Sequence, residues 1–392
     1  MKDSVKKYIP YGRQTISEED IKAVCGVLRS DWLTQGPYID EFEKSVGQYC
    51  GVDYAVAVNS ATSALHIACL AAGLGPGDAL WTSPNTFVAS ANCGLYCGAS
   101  VDFVDIDILT GNISVDALTS RLEAAAANGR LPKVLVPVHF AGQSCDMERI
   151  AQLAARYGFK VIEDASHAIG GRYKDTVIGS CVFSDMTVFS FHPVKIITTG
   201  EGGMVLTKDK EVYERLLRLR SHGITRSPEL MTSEPDGPWY YQQVELGFNY
   251  RMTDIAAVLG TSQMKRLDEF VERRNYLTER YDRLLSGMPL TPLHRRHETA
   301  SACHLYVIRL RLDMIRKTRQ QVFEEMREAG IGVNVHYIPV HTQPYYLAFG
   351  FKQGDFPQAE AYYASVMSLP LYYGLTDEEQ SYVVDTLGRL LR

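Results

Sequence analysis

"SFHPVKIITTGEGGMVLT", Ser190–Thr207, sets one lysine between a proline and a glycine-rich turn, with apolar runs on either side. The flanking runs "MTVFSF" and "GMVLT" are bounded by turn residues and do not alternate in polarity, which suits strands covered on both faces. Lys195 between them is either a solvated charge at a strand end or a nucleophile held where its charge is hard to maintain.

Upstream the same pattern recurs. Strand-like "YAVAVNS", "ALWTSP", "VDFVDID", "KVLVPVHF" and "KVIEDAS" alternate with a helix from Thr62 to about Ala72, with "TFVASANCGLYCGA" and with "MERIAQLAARYG". Such alternation predicts an α/β fold with a mostly parallel, doubly wound sheet. Ahead of it, "SEEDIKAVCGVLRS" opens a helix with a capping box of Ser17 and Asp20, and "LTQGPY" ends that helix.

Beyond Gly260 the rhythm changes. One long charged helix is expected over "TSQMKRLDEFVERRNYLTERYDRLLSG". Strand, helix, strand and helix follow in "HLYVIRL", "TRQQVFEEMREAG", "GVNVHYIP" and "QAEAYYASVM", and a last helix after Thr376, whose "TDEE" is a second capping box. The expected organisation is a large α/β domain with an N-terminal arm over residues 1–260 and a smaller α+β domain over 261–392. Between them "RSPELMTSEPDGPWYYQQ" lacks periodicity and carries prolines, and a loop of this length in a compact protein is usually functional.

The 392 residues are 46% apolar and 22% charged, with a net charge of −6, ordinary values for a globular enzyme. The acidic balance argues against general nucleic-acid or membrane-surface binding, which needs a basic face. No apolar run is long enough to cross a bilayer, and no apolar segment follows the lysines of "MKDSVKKYIPYGRQ", so a cytoplasmic address is expected. The eight cysteines show no C-x-x-C spacing and sit mostly in apolar stretches; they read as reduced packing residues, with no metal site expected.

In open parallel sheets ligands gather outside the carboxyl ends of strands. Thr62 and Ser63 follow one such end and begin a helix, where hydroxyls and free N–H groups form either an anion site for a phosphate or a simple N-cap. Asp164 closes another apolar strand, a costly place for a carboxylate unless a cation or strong donor meets it. His167, three residues on, is either a partner for a flat ring or a satisfied structural histidine. Ser190 points a hydroxyl toward the lysine segment, and Phe87 could cover a planar group or belong to the core. Asn249 and Arg251 precede a helix, with Asp254 expected as a cap or surface charge. A phosphate cradle, a buried acid, a flat aromatic and a pinned lysine are together the parts that pyridoxal 5'-phosphate requires. No G-x-G-x-x-G follows the first strand, which disfavours a dinucleotide-binding dehydrogenase.

In order along nearly the whole chain, "LTQGPYIDEFE", "NSATSAL", "EDASHAIGG", "SFHPVK", "TTGEGG", "LGFNYRMTDI" and "VHYIPVH" resemble the DegT/DnrJ/EryC1/StrS family of nucleotide-sugar aminotransferases. The resemblance implies aminotransferase fold type I with Lys195 as Schiff-base lysine and general base. It further implies Asp164 on the pyridine nitrogen, His167 near the ring, Phe87 over it, and Thr62, Ser63 and Ser190 on the phosphate. Asn249 would reach the phosphate from the neighbouring subunit of a homodimer with shared active sites. A branch of dehydratases in the family carries histidine in place of this lysine, and Lys195 disfavours it. "SHGITR" and "PWYYQQVELGFNYRMTDI" resemble the branch on the pseudaminic acid route, which aminates C4 of a UDP-linked 4-keto-6-deoxy-N-acetyl sugar with L-glutamate as donor. That likeness would put Tyr11, Leu33, Thr34, Gln35, Gly36 and His336 around the sugar nucleotide. The rival expectations are amination of another nucleotide-linked keto sugar and a cofactor-binding regulatory protein without turnover.

Overall fold

The computed structural model describes residues 8–392; residues 1–7, the start of the N-terminal arm, lie outside the described residues. Its centre is a sheet of seven strands: β1 (Tyr54–Val58), β2 (Ala79–Thr82), β3 (Ser100–Phe103), β4 (Val134–Val136), β5 (Lys160–Asp164), β6 (Met186–Ser190) and β7 (Gly203–Thr207). Their spatial order is β1-β7-β6-β5-β4-β2-β3, with β7 antiparallel to both neighbours and the remaining pairs parallel. The strands are apolar on both faces because both are covered. Val56, Val58, Val136, Ile162 and Val188 pack under α3 (Ala61–Ala71), α4 (Ala89–Tyr96) and α7 (Lys210–Arg220). On the other face Ala57, Phe189 and Leu206 meet α2 (Pro37–Cys50) and α8 (Asp254–Met264), while Leu135 and Val161 meet α5 (Val115–Ala127) and α6 (Met147–Tyr157).

Register aligns the carboxyl ends of neighbouring strands. Gly203 at the start of β7 is paired with Val58 on one side and Ser190 on the other, so the carboxyl ends of β1 and β6 lie in one row. A Cβ on Gly203 would stand 2.6 Å from Ala61 N and from the carbonyl of Ser60. Only glycine lets the first turn of α3 approach β7 so closely.

A second core lies in the C-terminal part, where β8 (Leu290–Pro292), β9 (Tyr306–Leu310) and β10 (Val366–Leu369) form an antiparallel sheet. It is backed by α9 (Leu267–Leu284), α10 (Arg319–Glu328) and, after α11 (Pro357–Ser365), by α12 (Asp377–Leu390). The capping boxes expected at Ser17 and Thr376 are both formed.

Four local expectations are corrected. The single long helix expected after Gly260 is two, α8 and α9, broken at Lys265 and Arg266. Arg266 leaves the helical region at φ −116°, with its guanidinium over the rings of Phe270 and Tyr373. The turn lets α8 pack on the large core while Leu277 and Tyr281 of α9 enter the second. "GVNVHYIP" is not a strand: it makes one isolated bridge, Asn334 to Ser368, and the N–H groups of Val335 and Tyr337 donate to the side chains of Asn334 and Asn85 instead of to a neighbouring strand. The helix expected through "QAEAYYASVM" stops at Ser365, and Val366 starts β10. Asp254 is neither a surface charge nor the cap of its own helix, a role Thr253 takes. It is fully buried and accepts from the N–H groups of Gly36 and Tyr38, at 2.8 and 3.1 Å, capping α2 from across the fold.

Candidate active site

Beyond the carboxyl ends of β1, β5 and β6 opens a cavity of about 440 Å³. Tyr11, Thr62, Phe87, Asp164, His167, Ser190, Lys195 and His336 all line it, residues drawn from across the sequence. The sheet register explains the convergence, since strand ends that are neighbours in space deliver side chains that are far apart in the chain.

Lys195 stands on an irregular segment tied down at both ends. Thr199 N and Thr198 Oγ1 both bond the Phe191 carbonyl at 3.0 Å, Lys195 N bonds the His192 carbonyl at 2.9 Å, and Gly200 takes φ +81°. Ile196 and Ile197 anchor the segment in the large core. The lysine is half-buried, and burial pushes its ammonium down to about 8, with Asp164 pulling the other way. The two charges therefore act on each other across the cavity.

Asp164, at the end of β5, is buried but fully provided with donors. Ser90 Oγ donates to Oδ2 at 2.6 Å, and Ser166 donates to Oδ1 through its hydroxyl at 2.6 Å and its N–H at 3.1 Å. Donors of this kind fix a carboxylate in orientation. His167 accepts from Ala141 N–H at Nδ1, at 3.3 Å, which leaves Nε2–H to donate to the Tyr337 hydroxyl at 3.1 Å. Burial, then the Lys195 charge, holds its pKa well below the ordinary range, so the imidazole is neutral. His336, on Ser368 Oγ at 2.8 Å, is pushed down to about 3 by burial and Lys195.

At the opposite wall Ser60 caps α3 by accepting from Ser63 N–H. The N–H groups of Ala61 and Thr62, in the first turn, have no helical acceptor and face the end where Ser190 stands. Ser63 does not line the cavity; its hydroxyl donates to Asn59 Oδ1 at 2.7 Å, inside the cap, while Ser60 and Ala61 take places on the wall that the sequence did not single out. Asn249 is exposed, as are Leu33, Thr34 and Gln35, and neither they nor half-buried Gly36 line this cavity. Ser90, Ser166, His304, Asn334 and Tyr337 also line it without having been singled out. Ser166 and Tyr337 at least fall inside motifs already noted, "EDAS" and "VHYIP".

An amine of lowered basicity, a carboxylate fixed by three donor groups and a helix N-terminus cleared by glycine fit the three demands of a pyridoxal phosphate site. The fold and this cavity define a pyridoxal-phosphate-dependent enzyme of fold type I. The chain belongs to the DegT/DnrJ/EryC1/StrS aminotransferase family, which matches residues 14–388. It is 40% identical to the spore coat polysaccharide biosynthesis protein SpsC of Bacillus subtilis, over 98% of this chain and 97% of that one. It is 37% identical to a UDP-4-amino-4,6-dideoxy-N-acetyl-beta-L-altrosamine transaminase of Campylobacter jejuni, again over 98% and 97%. Among solved structures, Helicobacter pylori PseC, an aminotransferase of pseudoaminic acid biosynthesis, superposes with a TM-score of 0.89 at 31% identity over 98% and 99% of the two chains. The PLP form of Spr1654 from Streptococcus pneumoniae superposes at 0.87, with 31% identity over 98% of each. The protein is a sugar aminotransferase, and its cofactor is pyridoxal 5'-phosphate. Among the described residues no helix is long and apolar enough to cross a membrane.

Proposed function

We propose that the protein transfers the amino group of L-glutamate to C4 of a UDP-linked 4-keto-6-deoxy-N-acetylhexose, a pseudaminic acid precursor. The observation that carries the reading is the shared cavity of Lys195 and Asp164, closed at one end by the N-terminus of α3. The likeness to the Campylobacter transaminase and to PseC supports the choice of sugar.

Bound pyridoxal phosphate supplies an electron sink for the carbanion charge that transamination creates. The chain's own residues do the rest. Thr62, Ser190 and the free N–H groups of α3 bind the phosphate, with Ser63 stiffening the cap behind them. Asp164 would meet the pyridine nitrogen, Phe87 would cover the ring and His167 would lie beside it. Lys195 Nζ, with its lowered basicity, takes the proton from the donor's Cα and, in the second half of the cycle, delivers one to C4 of the sugar. Tyr11 and His336, whose rings lie 5.7 Å apart, receive the sugar nucleotide. Asn249 and the Leu33–Gly36 segment, which do not line the cavity of their own chain, serve the site of the second subunit in a homodimer. The division into a large domain over 1–260 and a small one over 261–392 would let the second close on the substrate. Eight free cysteines support a reducing, cytoplasmic setting.

The test is a panel of 4-keto UDP- and dTDP-sugars offered with glutamate, read as 2-oxoglutarate formed. The UDP-linked N-acetyl sugar should be the best acceptor. Turnover confined to dTDP-sugars would overturn the substrate assignment and leave the second reading, another nucleotide-linked keto sugar, which the likeness to SpsC keeps open.

A further inference from the structure

His304 is the one imidazole on the cavity wall with no hydrogen bond from the protein among the described residues. It is only 4% exposed, its Nδ1 is sealed without a partner, and no protein group bonds Nε2. Its ring lies 4.5 Å from that of His167, and its own N–H is bound to the Ala141 carbonyl, so the residue is fixed while its ring nitrogens stay free. Buried polar groups in native proteins are nearly always paired, so a ring left unpaired on the wall of a binding cavity calls for a ligand.

The surroundings say which ligand. Directly behind His304 lies Arg274, 2% exposed, whose Nη1 is bound to the main-chain carbonyls of His304 and Leu371, at 3.2 and 3.1 Å. Its Nε is unpartnered, and among the described residues no carboxylate pairs with it. A buried guanidinium without a counter-ion is costly and projects positive potential through the low-dielectric wall. Burial, with the Arg274 charge among the further causes, holds the His304 pKa well below its ordinary value. The ring is thus a neutral donor in a positive field, and no arginine lines the cavity itself. An amino-acid donor brings a carboxylate that must be held beside Lys195 while its Cα proton is removed.

We propose that His304, backed by Arg274, is the carboxylate site of the amino donor, its imidazole N–H bonding the α-carboxylate. The inference rests on the reading of this cavity as one that takes glutamate, and it adds the residue that binds it.

The experiment uses the holoenzyme and its His304→Phe and His304→Gln variants, with His304→Ala in place of the first if the phenylalanine variant fails to fold. Maleate, an unreactive dicarboxylate, is titrated against the cofactor absorbance, and the glutamate and keto-sugar half-reactions are timed separately. His304→Phe should raise both the maleate dissociation constant and the half-saturating glutamate concentration about tenfold or more, the effect of losing a hydrogen bond to a charged group. His304→Gln, which keeps a donor, should recover most of that, and the sugar-nucleotide KM should stay within about twofold in both, since uniform binding of the other substrate is untouched. Unchanged maleate and glutamate binding, or a rise confined to the sugar-nucleotide KM, would overturn the assignment. Wild-type enzyme that binds maleate but does not react with glutamate would instead sink the donor reading, leaving the carboxylate site standing.

Discussion

Ser90 Oγ donates to Asp164 Oδ2 at 2.6 Å, and Thr86 Oγ1 lies 2.7 Å behind Ser90 Oγ. Because the Ser90 proton points at the carboxylate, the Thr86 hydroxyl must donate to Ser90, so two buried hydroxyls polarise one another toward the acid. The serine is in the first turn of α4 and the aspartate ends β5, which ties the helix over the sheet to the group assigned to the pyridine nitrogen.

A hydrogen bond to a charged group contributes about 1.5–3 kcal/mol. Ser90→Ala is expected to raise the dissociation constant of pyridoxal phosphate by roughly ten- to a hundredfold, measured by absorbance titration of the apo-protein. Ser90→Thr, which keeps the hydroxyl, should stay near wild type, and equal losses in both would show that packing rather than the bond matters.

Lys195 gives a prediction in pH. With its ammonium pushed down to about 8, about one lysine in ten is neutral at pH 7, against fewer than about one in a thousand for an ordinary lysine. The neutral form is the nucleophile, and its fraction grows as pH rises. Capture of pyridoxal phosphate by the apo-protein should therefore speed up about fivefold from pH 7 to pH 8 and level off above about pH 9. A rate still climbing through pH 10 would mean that the amine is not desolvated. Lys195→Ala should lose the visible cofactor band and slow both half-reactions by about 10²–10⁴ or more, the scale of a lost general base.

How much of this was legible follows from where each signal is local. Strands β1, β5, β6 and β7 announce themselves as short apolar runs, and the residues at or just past the ends of the first three, Thr62, Asp164 and Ser190, need only the rule of the strand's carboxyl end to be placed on one cavity. Ser90 carries no such mark, being one small hydroxyl in "FVASAN" whose meaning lies 74 positions away at Asp164. His304 and Arg274 are likewise joined only by tertiary folding. Asp254 misleads because a carboxylate at the head of a helix reads as its cap, whereas its partners, Gly36 and Tyr38, lie more than two hundred residues earlier. The break at Arg266 has no glycine or proline to signal it; it is imposed by two cores that need the apolar stripe in different directions.

Gly203 tests the geometry of the phosphate end. A methyl there would meet backbone atoms of Ser60 and Ala61 at 2.6 Å, and backbone cannot swing aside as a long side chain can. Gly203→Ala should cost about 1–3 kcal/mol in stability, the range for overpacking a core, and weaken cofactor retention in parallel. Gly75→Ala is the control, because a Cβ at Gly75 has nothing within 4 Å and the substitution should be close to neutral. Thermal denaturation of apo- and holo-protein separates the two effects, and a Gly203→Ala protein as stable as the control would show that α3 is free to move away.

Asn249 tests whether two chains complete each cavity. It is exposed and lies outside the cavity of its own chain, yet it sits in "LGFNYRMTDI", where the family resemblance implies a phosphate contact. If each site combines Lys195 of one chain with Asn249 of the other, a Lys195→Ala chain and an Asn249→Ala chain are each poor alone. A heterodimer of the two has one doubly damaged site and one intact site. Random reassociation after mixing should then restore about a quarter of wild-type activity, as a two-fold symmetric dimer with shared sites requires. Sedimentation should show the same dimer before and after mixing. Activity no greater than the sum of the separate variants, in a sample where subunit exchange is demonstrated, would confine the site to a single chain.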